Sequence, residues 1–268
     1  VDSFAQSFID YRDQNYRLWF VPVRNSFHKF SEGLSLPAYA GWGNMQSSST
    51  AMAISPMGII NAGNPRQAAL ETMELASLIH NGPTGFCRDA ACSIASAVAA
   101  AFKPQASVSG IIDSARSHLM PVSAKLLIDL IGRAIEMADK CGSYENFREE
   151  YYKTSLKAVL ADSRETIPAT FALLFLSEGD PRLAITWAAN FGRDADTIAC
   201  MLGSIVGALH GSSGLPSEWV EKATRASTID SSYSGGHRTF RGEMSDAPKF
   251  DNLEISKQLE AVIKGRLR

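Results

Sequence analysis

Residues 64–79 read NPRQAALETMELASLI. Asn64 carries a side-chain acceptor for the free amides of a first helical turn, and Pro65 brings a fixed φ and no N–H to the position where neither is a loss. Behind them Ala68, Ala69, Met73, Ala76 and Ile79 recur three and four apart, the spacing of one helix face. This pattern predicts a helix from Pro65 that ends near His80-Asn81-Gly82-Pro83. The period-two alternation of half-buried strands is nearly absent from the chain, whereas segments like this one recur between Gly, Pro and Asn punctuation. The fold class is therefore all-α.

Working outward, the alanine-rich stretch Arg88 to Phe102 reads as the next helix. Further helices are expected at Val108 to His118, Val122 to Lys140, Glu145 to Ala161 and Pro168 to Leu176. Asp180-Pro181 repeats the cap-plus-proline start and leads through Leu183, Ile185 and Ala188 to Asn190. A last helix is expected from Asn252 to Leu267. Gly33 to Asn64 and Ser227 to Lys249 read as irregular, and no internal repeat is evident, so one domain over residues 1–268 is the expectation.

Composition narrows the function classes. Of 268 residues, 45% are hydrophobic and 20% charged, which is ordinary for a globular protein. Lys and Arg total 26 against 28 Asp and Glu, a net charge of -2, so no broad basic surface for nucleic acid is implied. The apolar run Ile167 to Leu176 is about half the roughly 20 residues of a membrane span. Cys87, Cys92, Cys141 and Cys200 form no Cys-x-x-Cys pair and read as free thiols of a reducing compartment, which predicts a cytoplasmic protein without membrane or nucleic-acid partners.

The chemistry-bearing cluster is Asp194-Ala-Asp196-Thr197. Two carboxylates and a hydroxyl in one turn are the hard oxygen donors that Mg²⁺ or Mn²⁺ prefers. The same residues also make an ordinary helix start, with Asp194 as N-cap and Asp196 in the first turn, where the helix dipole favours an anion. On these side chains alone the cap is the simpler reading. An EF-hand is excluded, because the turn runs directly into Ile198-Ala199-Cys200-Met201-Leu202 without the later ligands. Ala199, Gly203, Gly207 and Gly211 then follow four apart. Interior glycine costs roughly 1 kcal/mol relative to alanine, so the stripe leads us to expect another backbone close to that face.

Asn190-Phe-Gly192-Arg-Asp194-Ala-Asp196-Thr197, followed by Gly203, Gly207-Ala208 and Gly211, resembles the C-terminal signature of the ADP-ribosylglycohydrolases. Asn44 to Gly58 resembles that family's Gly/Asn-rich loop and the Ala-Met-x-Ile-x-Pro-x-Gly stretch after it. Ser77-Leu-Ile-His80 resembles the family's Thr-His helix ending. The resemblance implies a single-domain orthogonal multi-helix bundle that binds two Mg²⁺ or Mn²⁺ ions and cleaves the bond at the anomeric ribose carbon of ADP-ribosyl or related ribosyl substrates. It implies that Asp194, Asp196 and Thr197 are metal ligands. It further implies that Asn44, Gln46, Ser47, Ser48, Ser49, His80, Gly192 and Arg193 lie around the substrate.

The chain departs from the family pattern in three places. No Gly-Asp-Ala-x-Gly opening and no Thr-Asp-Asp-Thr motif occurs in residues 1–268, and Val1 to Leu34 resembles the region that follows them. The remaining metal ligands are thus expected from another segment or a second chain, with Asp10, Asp13 and Glu32 as weak substitutes. Arg193 stands where the family has a second Gly, and Ala53 where it has Arg. Arg193 would place a cation beside the acidic cluster, either to bind an anion or to compete with the metal. Besides a hydrolase, a non-catalytic ADP-ribose or nucleotide binder and a structural descendant akin to jellyfish lens crystallins fit the resemblance.

Overall fold

The structure is a computed structural model that describes residues 1–228 and 252–266, apart from the side chains of Gln14 and 226–228. Most of the irregular stretch expected at Ser227 to Lys249, and Leu267, lie outside the described residues. Among the described residues there is no strand, only an isolated bridge between Trp42 and Asn81. The helices are α1 (Asp2–Asp10), α2 (Arg12–Asn15), α3 (Val21–Ser31), α4 (Ser49–Ala53), α5 (Ser55–Ile60), α6 (Pro65–Leu75), α7 (Phe86–Ala101) and α8 (Val108–Ser117). They continue with α9 (Lys125–Cys141), α10 (Tyr144–Thr154), α11 (Ser163–Leu176), α12 (Pro181–Ala189), α13 (Ala195–His210), α14 (Ser217–Thr228) and α15 (Asn252–Arg266). None of them is long and apolar enough to cross a membrane.

Side-chain caps open five of the helices. Asn64 Oδ1 accepts from Gln67 N at 3.2 Å and opens α6, while Asp180 Oδ1 accepts from Leu183 N at 2.8 Å and opens α12. Ser107 and Ser143 do the same for α8 and α10. Gly142, at φ +66°, ends α9 in the left-handed conformation that glycine adopts without steric cost. The α6 helix passes into a 3-10 turn at Ala76–Leu78, a few residues short of the expected end.

The stretch Gly33 to Asn64, which reads as irregular, contains the short helices α4 and α5, and two boundaries differ more. The α10 helix stops at Thr154 rather than Ala161, because the amide of Lys157 is taken by the Glu165 carboxylate at 2.7 Å instead of a helical carbonyl. The α11 helix begins at Ser163, capped by Asp162, so Pro168 lies inside it rather than opening it. The link 155–162 is thereby freed from helix, and it becomes a wall of the site described below.

The centre of the fold is α7. All of its sixteen residues except Phe86 and Arg88 are buried, and eleven of the sixteen are alanine, serine or cysteine. A narrow rod of this kind lets neighbours pack close on every side. Its few polar atoms serve the packing: Ser96 Oγ donates to Pro65 O at 2.9 Å and Cys92 Sγ to Ala69 O at 3.3 Å, both on α6. The main core runs from α4 through α13 around it. A second, smaller apolar cluster joins Ala5 and Val23 of the N-terminal helices to Leu78 and Ile79, with Phe4, Phe8, Trp19 and Phe30 packed on it.

The glycine stripe on α13 does not receive a backbone. Gly203 lies only at van der Waals distance from Ile185, Gly207 has open space, and Gly211 ends the helix at φ +67°. The buried face of α13 is instead Ile198, Met201, Leu202, Ile205 and Val206, one step around the helix. Close approach occurs at Gly58 on α5, where a Cβ would come within 2.6 Å of Val98 Cβ on α7. Gly58→Ala is therefore expected to destabilise the protein by roughly 1–3 kcal/mol through overpacking, read as a lower urea midpoint at unchanged slope; an unchanged midpoint would mean that α5 and α7 are not in close contact.

Candidate functional site

A cleft of about 650 Å³ gathers residues from four parts of the chain. Asp194, Asp196 and Thr197 come from the start of α13, and Ser49 and Met52 from α4. Ala158, Val159, Leu160 and Ala161 form one apolar wall, while Leu18, Trp19, Phe20 and Val23 form another.

The turn before α13 is built by its backbone. Phe191 O accepts from Arg148 Nε and Tyr152 Oη, each at 2.7 Å, and fixes the entry to the turn. Gly192 follows at φ +89° against the Tyr152 hydroxyl, which leaves no room for a Cβ. Arg193 is also left-handed, at φ +57°. For a non-glycine residue that conformation costs roughly 1–2 kcal/mol, so the side chain has to offset it. Its guanidinium does so by gripping the Glu165 carboxylate with two bonds of 2.9 Å and donating to Lys157 O at 2.6 Å. The Glu165 side chain is 1% exposed. Arg193 is thus turned toward α11, and neither it nor Gly192 lines the cleft.

Asp194 stands at the N-cap position but makes no side-chain cap bond. Its Oδ2 is buried without a hydrogen-bond partner. Burial pushes its pKa up to about 6, with the charges of Asp196 and Glu165 acting in the same direction and a hydrogen bond with Thr197 opposing them. The cap reading that the residues alone favoured is therefore not what the structure shows. Thr197 Oγ1 lies 3.5 Å from Met52 Sδ, and Asp196 is exposed at the cleft edge. Two carboxylates and a hydroxyl with an unpartnered buried oxygen fit a hard divalent cation. Among the described residues no third His, Cys, Asp or Glu completes a cluster with them.

The serine loop contributes to the same cleft. Ser49 lines the cleft, and its hydroxyl bonds to Ser47 Oγ. Ser47 Oγ is 3.1 Å from His80 Nε2, and His80 Nδ1 is 2.7 Å from Thr50 Oγ1. Burial lowers the His80 pKa to about 4, against a raising bond to the Met45 backbone, so the ring is neutral near pH 7. His80 fixes hydroxyls and brings no charge. Ser48 is spent on structure: its amide and hydroxyl both donate to Ala161 O, at 2.7 and 3.0 Å, and its hydroxyl also bonds Thr166.

Asn44 is likewise internal. Its amide reaches Pro22 O, Ser26 Oγ and Ile79 O at 2.8–3.0 Å, and so ties α3 to the end of the 76–78 turn. Gln46 is half-buried outside the cleft lining. The early carboxylates are elsewhere: Asp10 bonds Gln6, Asp13 pairs with Arg12 at 3.8 Å, and Glu32 with His28 at 3.3 Å, all at the surface. Glu165, Met52 and the two apolar walls are additions that the residue pattern did not single out. An acidic residue two positions before the apolar run 167–176, at the head of a helix that reads as buried, was the available signal for Glu165.

The family described as ADP-ribosylglycohydrolase matches residues 1–244, a span that includes the acidic turn, the serine loop and both walls. The chain belongs to the ADP-ribosylglycohydrolase family. Over 72 residues it is 56% identical to the ADP-ribosylarginine hydrolase Tri1 of Pseudomonas putida (strain GB-1), covering 26% of this chain and 17% of that protein. Over 180 residues it is 27% identical to the uncharacterized protein YegU of Escherichia coli (strain K12), covering 63% of this chain and 51% of that protein. A Serratia proteamaculans (strain 568) Tri1, also named an ADP-ribosylarginine hydrolase, is 46% identical over 46 residues, covering 17% of this chain and 13% of that protein. The chain thus spans about half or less of the length of these curated relatives. No solved structure matches it significantly.

In this ADP-ribosylglycohydrolase turn, burial lifts the Asp194 carboxyl above the ordinary aspartate range to about 6, so the folded protein binds that proton more readily over the pH units just below 6. Its contribution to stability is therefore most favourable below that window and is lost as pH rises through it. In metal-free protein at pH 7.5, Asp194→Asn is expected to stabilise by on the order of 1 kcal/mol and to flatten the pH dependence of the melting temperature between 4 and 6. Destabilisation at pH 7.5 would show that the carboxylate is satisfied by the protein.

Proposed function

We propose that this chain is a metal-dependent hydrolase of an ADP-ribosyl or related ribosyl glycosidic bond, with Asp194, Asp196 and Thr197 holding a Mg²⁺ or Mn²⁺ ion in the cleft. The observation that carries the reading is the buried, partnerless Asp194 Oδ2 beside a second carboxylate and a hydroxyl. A buried carboxylate oxygen without a donor is costly unless a cation completes it. An ion there would supply Lewis-acid stabilisation of charge and would orient ribose hydroxyls and water.

The chain's own residues have distinct tasks in this reading. Ser49 offers a hydroxyl to the ribose or diphosphate, held in place through Ser47 by the neutral His80 ring. The walls at Trp19–Phe20 and Val159–Leu160 exclude water and pack against the flat parts of the ligand. Mg²⁺ takes six oxygen ligands in near-octahedral geometry. The remaining positions of the first ion, and any second ion, fall to water, substrate oxygens and carboxylates of another segment or chain. The two relatives named as ADP-ribosylarginine hydrolases make an arginine-linked ADP-ribose the first substrate to try.

The test is to incubate the intact protein with Mg²⁺ or Mn²⁺ and an ADP-ribosylated arginine peptide, and to quantify ADP-ribose release by chromatography. Release is expected to stop on chelation and to fall at least about 100-fold in Asp194→Asn. Turnover indifferent to both would refute the metal role. Calorimetric binding of ADP-ribose without any release would make the protein a binding module.

A further inference from the structure

Arg193 occupies a backbone position that favours glycine, yet it carries the longest side chain of the turn. That side chain runs away from the cleft into a closed ring. Arg193 holds Glu165 with two bonds and Lys157 O with a third, and Lys157 N donates back to Glu165 Oε2 at 2.7 Å. Glu165 has no other cation beside it among the described residues. One ring therefore joins the turn that bears Asp194, the residue just before the 158–161 wall, and the first turn of α11.

The same short segment also holds the serine loop. Ala161 O accepts the Ser48 amide and hydroxyl, Ser163 Oγ donates to Ser47 O at 2.8 Å, and Thr166 bonds the Ser48 hydroxyl. Residues 157–166 thus form a strut that holds the acidic turn through 157 and 165 and the hydroxyl-bearing loop through 161, 163 and 166. The Arg193–Glu165 pair is the fastening of the acidic turn to it. Asp194 and Ser49, one from each of the two parts so held, line one cleft.

We propose that Arg193 and Glu165 are positioning residues, which clamp the acidic turn to the 157–166 strut and so set the placement of Asp194 and Asp196 for a divalent cation in the cleft that Ser49 also lines. This rests on the metal reading above. The pair does not touch the ligand. It acts through the backbone at Asp194, and Arg193 keeps a buried carboxylate beside Asp194 compensated.

The clamp is tested on the intact protein by Mn²⁺ calorimetry well below the melting temperature, with thermal melts in parallel, for wild type, Arg193→Gly, Arg193→Lys and Glu165→Gln. Arg193→Gly relieves the left-handed strain but opens the ring, and it is expected to weaken Mn²⁺ binding at least tenfold while the protein stays folded. Glu165→Gln keeps the shape and one acceptor for Lys157 N, and is expected to lose affinity by a similar factor. Arg193→Lys, able to reach Glu165 with one bond, is expected to recover part of the loss. If Arg193→Gly and Glu165→Gln only lower the melting temperature and bind Mn²⁺ as wild type does, the pair is merely structural and the proposal fails. Should Arg193→Gly not fold, Glu165→Gln carries the same decision. A wild-type protein that binds no Mn²⁺ overturns the metal reading, and the clamp's purpose with it.

Discussion

A helix buried on every side has to be narrow, and the rest of this structure depends on α7 being so. Its alanines and serines leave room for α4, α5 and α6 on one side and α11 and α13 on others. The two halves of the cleft are consequently referenced to one rod: α4 carries Ser49 and Met52, α13 carries Asp194, Asp196 and Thr197, and both pack on α7. Bulkier side chains on α7 would push those halves apart. Gly58 shows how little tolerance there is, since even its missing methyl is filled by Val98.

On that frame, the placement of charge separates structure from chemistry. Asp162 is buried and matched by Arg164 at 2.6 Å, and Glu165 is buried and matched by Arg193. Paired and hydrogen-bonded in this way, buried carboxylates cost little. Asp194 lies within reach of Glu165's charge yet has no such match, and it lines the cleft. The protein neutralises the carboxylates that hold the strut and leaves unmatched the one that faces the site. His80 follows the same logic behind the serine loop, where burial keeps it uncharged and both ring nitrogens are used to hold hydroxyls.

Much of this was legible in the residues, for identifiable reasons. Cap-plus-proline starts at Asn64-Pro65 and Asp180-Pro181 are local chemistry, and both helices begin there. Boundaries set by tertiary contacts were not legible: α10 ends early because a carboxylate eight residues further on takes the Lys157 amide, and Pro168 sits inside α11 because Asp162 caps it from upstream. The α13 glycines misled because four-residue spacing defines a face without saying what lies against it. The acidic turn was ambiguous for the same reason. Only the fold tells whether Asp194 bends back to its own helix or points into a cleft, and it also shows that Asn44 and Ser48 spend their polar atoms internally. Arg193's partner came from α11, beyond the reach of any local pattern.

On the proposed reading the unmatched carboxylate of the α13 turn is there for a cation, and anomalous diffraction from a crystal of the intact protein soaked in Mn²⁺ decides it. The expected result is an anomalous peak in the cleft within coordination distance of Asp194 and Asp196, with Thr197 alongside. A cleft without such a peak, and Asp194 Oδ2 bonded to a donor of the protein itself, would contradict it.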